Sequence, residues 1–230
     1  MIMSIGDSLY KTLIYDNRYR YILEGLFNTI IMALFAVLIG IVIGTFLAII
    51  RNNYEVNKRG KLLNGIALGY INIIRGTPVI LQLMIIYYVI FKTVDINIVL
   101  VGIIAFGINS GAYVAEIIRS GINSIDKGQR EAGLALGLNY GQVMKLIILP
   151  QAIKNILPAL GNEFITLLKE TSVGAYIGIM ELTKASDIIA SRTYDYFFPL
   201  IIIAIIYLLM TMGLSKLVNK MERSLNNARN

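Results

Sequence analysis

Glu163 is a carboxylate in the stretch LPALGNEFITLL, where almost every neighbour is apolar. Ionisable groups at membrane depth mark solute paths, proton relays or buried hydrogen bonds between helices. Glu163 lies 13 residues beyond Pro150, about 20 Å along a helix. That is past the middle of a hydrocarbon layer roughly 30 Å thick. Asn109 lies 12 residues after Asn97, about 18 Å from the opposite face. The two polar groups can therefore share a level. Asn162 adjoins Glu163, Ser110 and Gly111 keep the Asn109 region small and polar, and Gln82 stands on a neighbouring apolar run. Glu163, Asn109, Asn162, Gln82 and Ser110 are the candidate substrate-binding residues. A carboxylate in such a place suits an ammonium or guanidinium group. The same side chains could instead serve as hydrogen bonds between helices.

Most other chemistry is closed. The chain has no Cys and no His, which removes thiolates, the usual zinc sites and Ser/His/Asp or Cys/His catalysis. No catalytic or metal-binding residue is expected. Glu116 and Arg119 sit three apart on one helix face, so a local ion pair is expected there. The net charge of +7 is read as basic loops facing anionic lipid rather than nucleic acid.

The elements that must position these residues follow from composition. Hydrophobic residues make up 57% and charged residues 15%, against about 25% charged in soluble domains. Mean hydropathy is +0.70. The chain reads as a single all-α transmembrane domain over 1–230, a five-helix bundle. Spans are expected at about 21–50, 78–91, 98–118, 151–168 and 196–217. Arg51-Asn52-Asn53 should end the first. Leu62, Leu63, Ile66, Ala67, Tyr70 and Ile74 recur at helical spacing, which predicts an amphipathic helix at 62–75 lying near the interface. Arg75-Gly76-Thr77-Pro78 then separates it from the second span, although one long kinked helix is the alternative. No apolar core followed by a cleavage site opens the chain, so the first span is expected to act as the insertion signal.

Basic residues cluster in alternate loops: Arg51, Lys58, Arg59 and Lys61, then Arg119, Lys127, Arg130 and Lys145, then Lys216, Lys220, Arg223 and Arg229. The opposite loops hold fewer. This asymmetry places the N-terminus outside and the C-terminus in the cytoplasm. Tyr and Phe from Tyr194 to Phe198 should form an outer aromatic belt, and Glu170, Thr171 and Ser172 the outer cap of the fourth span.

One region, 126–149, is too polar to span. Asp126 and Gln129 have capping-box spacing, Gly137 suits a left-handed helix end, and Asn139 with Gln142 repeats the cap before a second helix that should stop at Pro150. The result is helix, break, helix. On these signals alone it is either a hairpin packed on its own bundle or a platform that needs a partner.

The stretch EAGLALGLNYGQVMKLIILP resembles the signature of ABC-importer permease subunits: Glu-Ala-Ala, three residues, Gly, nine residues, Ile, one residue, Leu-Pro. Glu131, Ala132, Gly137, Ile147, Leu149 and Pro150 fall in register, with Gly133 where Ala is usual. IIRGTPVILQL, GAYVAEIIRSGINSIDKGQREAG and LPALGNEFITLLKETSVGAYIGIMEL are similar to the polar amino-acid subfamily of the histidine, arginine and glutamine type. The resemblance implies a type-I importer permease fold in a bacterial cytoplasmic membrane. It implies two ATP-binding subunits, a second permease subunit (the same chain or a similar one) and an extracytoplasmic amino-acid-binding protein. It implies a coupling role for Glu131, Ala132, Gly133 and Gly137. The chain has no GxxxxGK[ST] phosphate loop, so ATP and Mg are expected on the partner ATPase and no cofactor on this chain. The expected solute is a polar amino acid, with arginine, lysine or histidine favoured by Glu163 and glutamine open. A stand-alone proton-coupled carrier using Glu163 is the rival reading.

Overall fold

The structure is a computed structural model that describes residues 5–227; Arg229, counted above among the basic loop residues, lies outside them. The described residues are mostly helical, with no strand among them. In order they are α1 (Ile5–Leu13), a 3-10 turn (Tyr15–Asn17), α2 (Tyr19–Asn57), α3 (Lys61–Gly76) and α4 (Val79–Ile85), which runs on as a π turn (Ile86–Ile90). Then come α5 (Ile98–Asn123), α6 (Lys127–Ala135), α7 (Tyr140–Val143), a second π turn (Met144–Ile148) and α8 (Leu149–Glu170). A 3-10 segment (Thr171–Ile177), α9 (Leu182–Thr193) and α10 (Phe197–Asn227) complete the chain. Four helices are long and apolar enough to cross a membrane, or five if the bent pair α3–α4 counts as one span.

The helix that holds the first span continues past Arg51 to Asn57. The Arg51 guanidinium lies 3.5 Å from Glu116 of α5 and 4.0 Å from Glu55 one turn on, so its charge is met within the helix. Termination falls instead at Lys58 and Gly60, both left-handed at φ 55 and 79. Tyr140 also donates to Asn52, 3.1 Å away, which ties this end of α2 to α7.

The pairing of α2 with α5 builds the centre. Gly40 and Gly44 on α2 face Gly107 and Gly111 on α5, each pair four residues apart. A Cβ at Gly40 would stand 2.7 Å from Ser110 Oγ, and one at Gly44 2.6 Å from Val114 Cβ. On the other helix, a Cβ at Gly107 or Gly111 would stand 2.7 Å from Ile39 or Ile43. Between lipid chains no hydrophobic force drives helices together, so small residues that let backbones approach and gain dispersion contacts decide the pairing. Met32, Ala36, Phe106, Val101, Leu83 and Ile179 fill the core beside this seam. In the apolar window of α5, 67% is buried, against 11% for α10. The first is therefore the central helix, and the second shows most of its surface to lipid or a partner.

Two helices depart from expectation in instructive ways. The packed face of α3 takes in only part of its apolar stripe: Ala67 is buried with Asn64 and Ile71, and Tyr70 packs beside them, whereas Leu62, Leu63 and Ile66 are 57–77% exposed. In a membrane an apolar face is as stable against lipid as against protein, so hydrophobicity does not select the inward side. The break at Thr77–Pro78 bends α3 from α4 by 109°. Tyr70, Ala67 and Arg75 meet α5 at Ile108, Ala115 and Tyr113, so α3 crosses α5 instead of resting beyond its end.

The second departure concerns Pro150, which was expected to stop a helix. It occupies the first turn of α8, and the helix runs without interruption from Tyr140 into Glu170. Pro lacks an N–H, but the widened π turn before it already relaxes the i→i−4 ladder, so the ring is accommodated. Pro158 likewise lies inside α8 without ending it, and Gly161 lets α10 approach: a Cβ there would stand 2.7 Å from Val218.

Candidate functional site

Glu163 lies half-buried midway along α8. Its Oε1 accepts a hydrogen bond from Ser110 Oγ at 2.8 Å, and Ser110 is fully buried. Gly40 makes room for the Ser110 side chain. The carboxylate is thus held against the middle of the central helix, one residue from Asn109. Glu170, two turns further along α8, continues the same face.

Asn109 and Gln82 are brought together, but not beside Glu163. Asn109 Nδ2 donates to Gln82 Oε1 at 2.9 Å, and both residues are buried. Gln82 Nε2 in turn donates to Ile74 O and Thr77 Oγ1, each at 2.8 Å, and to Thr77 O at 3.1 Å. Helix breaks free backbone carbonyls, and here one amide side chain satisfies them. This pair therefore locks the α3–α4 break onto α5. Tyr70 O–H donates to Ile108 O one residue before Asn109, and the Arg75 guanidinium lies 5.5 Å over the Tyr113 ring. Asn162 is exposed on the neighbouring face of α8, outside both groups.

At the end of the bundle that carries α6, Glu116 is the hub. Arg119 donates to it through both Nε and Nη2, and Arg51 approaches from α2. The local ion pair expected at this spacing is therefore joined by a third residue from another helix.

In α6, Asp126 caps the helix by accepting from Gly128 N at 2.6 Å; Gln129 does not complete a box. Asn139 and Gln142 do form one, with bonds of 3.0 and 2.8 Å. Gly137 is left-handed at φ 84, and Leu138 N reaches back to Gly133 O at 3.2 Å, which closes the helix end. Gly133 is buried: a Cβ there would stand 2.9 Å from both Ile147 and Val143. Its small size serves packing within the chain. Glu131, Ala132 and Gly137 are exposed, beside Leu134 and Leu136 at 45% and 82% exposure.

The residue that reading the sequence missed is Glu181. It is fully buried at the start of α9. Its carboxylate accepts from Lys184 N at 2.6 Å, Thr183 N at 2.7 Å and Tyr207 O–H at 3.1 Å. Asn28 and Thr29 of α2 bind Met180 O and Leu182 N on either side, and Gly25 lets the backbone approach. Burial pushes the Glu181 carboxyl up to about 7, despite the hydrogen bonds that favour its charged form. The helix-start pattern ELTKAS was the available signal.

A bundle of long apolar helices with a carboxylate in its interior and a polar helix-break-helix platform at one end is the solute-passing part of a membrane transporter. The chain belongs to the family described as binding-protein-dependent transport system inner membrane component, whose model matches residues 40–227. It is a multi-pass inner-membrane permease component, not itself an enzyme. It is 42% identical over 213 residues to a putative glutamine transport system permease protein GlnP of Rickettsia bellii, covering 92% of this chain and 95% of that one. It is 40% identical over 207 residues to the arginine transport system permease protein ArtQ of Bacillus subtilis, covering 89% and 92%. A solved amino acid ABC transporter crystallised with histidines matches with a TM-score of 0.86 at 42% identity, over 97% of this chain and 100% of that one. The inward-facing MetNI methionine ABC transporter shares the fold, with a TM-score of 0.73 at 18% identity over 97% and 99%.

Proposed function

We propose that this chain is the permease of an ATP-driven importer for a polar amino acid, and that Glu163 contacts the passing solute. The observation that carries the site is the carboxylate at mid-helix, half-buried and held by one hydrogen bond from Ser110. A fixed carboxylate in a low-dielectric setting attracts an ammonium or guanidinium strongly. This favours arginine, lysine or histidine. Glutamine is supported equally by the relatives, one named for glutamine and another for arginine, since every amino acid carries an α-ammonium. Ser110 holds the carboxylate, the Asn109–Gln82 pair next to it on α5 braces the α3–α4 break, and Asn162 offers a polar group on the exposed side of α8.

The exposed face of α6 (Glu131, Ala132, Leu134, Leu136 and Gly137) is the docking platform for an ATP-binding subunit, and Gly133 holds that platform to Val143 and Ile147. The assembly contains two such ATPases, which bind ATP and Mg. It also contains a second permease, identical or similar, and an external amino-acid-binding protein, with the N-terminus outside and α6 in the cytoplasm. Membership of the family favours this ATP-driven reading over the stand-alone proton-coupled carrier. Uptake by the reconstituted transporter with Glu163→Gln tests the site. Unchanged affinity and rate for arginine and glutamine alike would remove Glu163 from the solute path.

A further inference from the structure

Where the chain enters α2, the α1 segment folds against α9 and borders an open cleft of about 650 Å³ lined by Asp7, Tyr10, Lys11, Tyr15, Arg18 and Arg192. Three of these are cations and one is an acid, while Asp16 pairs with Arg192 from outside at 3.5 Å. Arg18 is only 5% exposed. Its Nη1 donates to Lys11 O at 2.6 Å and its plane lies 5.1 Å from the Tyr15 ring, but its Nε has no hydrogen-bond partner among the described residues. Lys11 Nζ reaches Thr193 O at 3.2 Å, which pins α1 to the end of α9 and holds the cationic groups on opposite walls. Arg18 lines the cleft and makes one hydrogen bond through its fork, to Lys11 O, and phosphate oxygens match the guanidinium donors that face the cleft.

The surroundings indicate what carries the phosphate. Ile5, Leu9, Tyr10, Ile14 and Tyr15 are exposed around this cleft, immediately before the first span begins at Tyr19. Exposed aliphatic side chains and tyrosines at the boundary of a span rest among lipid headgroups and upper acyl chains. A soluble anion would leave that apolar rim unused. We propose that the cleft between α1 and α9 binds the phosphate of an anionic phospholipid headgroup, with Arg18, Lys11 and Arg192 as its donors.

The test uses the complete transporter, permease with its ATPase, purified in detergent at low salt. Phosphatidylglycerol or phosphatidylcholine is titrated, and retained lipid is counted by native mass spectrometry. The variants are Lys11→Gln with Arg192→Gln, both at partly exposed positions, and separately Arg18→Lys, which keeps the charge but removes the fork. The expected result is saturable retention of phosphatidylglycerol, weakened about thirtyfold in the double variant and measurably in Arg18→Lys, with phosphatidylcholine unaffected. Equal retention of the two lipids by wild type and variants would overturn the proposal. So would complete displacement by millimolar inorganic phosphate, which would make this a free-anion site. Weaker docking of the external binding protein in the double variant, with phosphatidylglycerol retention unchanged, would make it a protein-docking surface instead.

Discussion

Ser110 of α5 and Glu163 of α8 meet at 2.8 Å, and this contact joins the central helix to the helix that leads from the α6 platform. Any solute drawn to Glu163 competes with, or adds to, the Ser110 hydrogen bond. Movement of α8 relative to α5 must break or keep that same bond. One contact thus touches both the proposed solute path and the proposed route from the α6 platform into the bundle.

Glu163→Gln should lower uptake of arginine and lysine roughly ten- to a hundredfold, the range expected for losing a charge-assisted hydrogen bond. Glutamine uptake should fall less if the carboxylate reads a cationic side chain, and equally if it reads the α-ammonium. Ser110→Ala should change uptake by less than Glu163→Gln. Vesicle uptake of each amino acid separates these outcomes.

Gln82 and Asn109 predict a double-mutant signature. Gln82→Leu alone leaves Asn109 Nδ2 and the Ile74 carbonyl without their side-chain partner, at about 1–3 kcal/mol. Asn109→Leu alone strands Gln82 Oε1. The double substitution should be less destabilising than the sum of the two, because both ends of the buried bond are then removed. Thermal melting in detergent reads this, and simple additivity would show that the pair does not act as one lock.

In the platform, Gly137→Ala should destabilise by about 1–2 kcal/mol, because a Cβ at φ 84 opposes the following carbonyl. A bulky residue at Glu131 should leave the bundle intact while separating ATP hydrolysis from uptake. Hydrolysis and uptake measured on the same vesicles test this, and preserved coupling would exclude Glu131 from the docking face.

Gly44→Val should disrupt the bundle more than any change at Gly213. The added atoms at Gly44 would meet Val114 within 2.6 Å, whereas nothing lies within 4 Å of a Cβ at Gly213. Yield of monodisperse protein and its melting temperature give the comparison.

The Glu181 carboxyl is raised from 4.5 to about 7 by burial. Between those values the folded protein holds a proton that the unfolded chain releases. Stability from this group is therefore greatest at the acid end, falls as pH rises through that window, and is lowest above about 7. Against Glu181→Gln, which does not titrate, the wild-type melting temperature should decline from pH 5 to pH 7.5. A difference that stays flat with pH would mean that Glu181 is ionised throughout.

How much of this was legible beforehand differs by element. The cap at Asn139 and Gln142 and the left-handed Gly137 are local: their geometry is set by residues within a few positions of each other. The shared level of Asn109 and Glu163 follows from helical rise, although the residue that touches Glu163 is Ser110. The Gly40/Gly44 and Gly107/Gly111 spacings were present in the sequence, and small residues four apart were the signal for the α2–α5 seam. Each Gly by itself carries little information, so the seam is recognised only once the two helices are paired. Glu181 was overlooked because its segment is neither long nor apolar.

By itself the sequence determined that this is an all-helical membrane protein with a polar platform after its central span. Charge density, apolar run length and capping chemistry are properties of the chain at short range, and a bilayer enforces them strictly. Only the tertiary structure decided which face of α3 turns inward, where Pro150 falls in a helix, and that Asn109 is held by Gln82 while Ser110 meets Glu163. Lipid and protein interior are equally apolar, so hydrophobicity cannot choose between them. Close approach at glycines and the pairing of buried polar groups make that choice, and both depend on residues far apart in the chain.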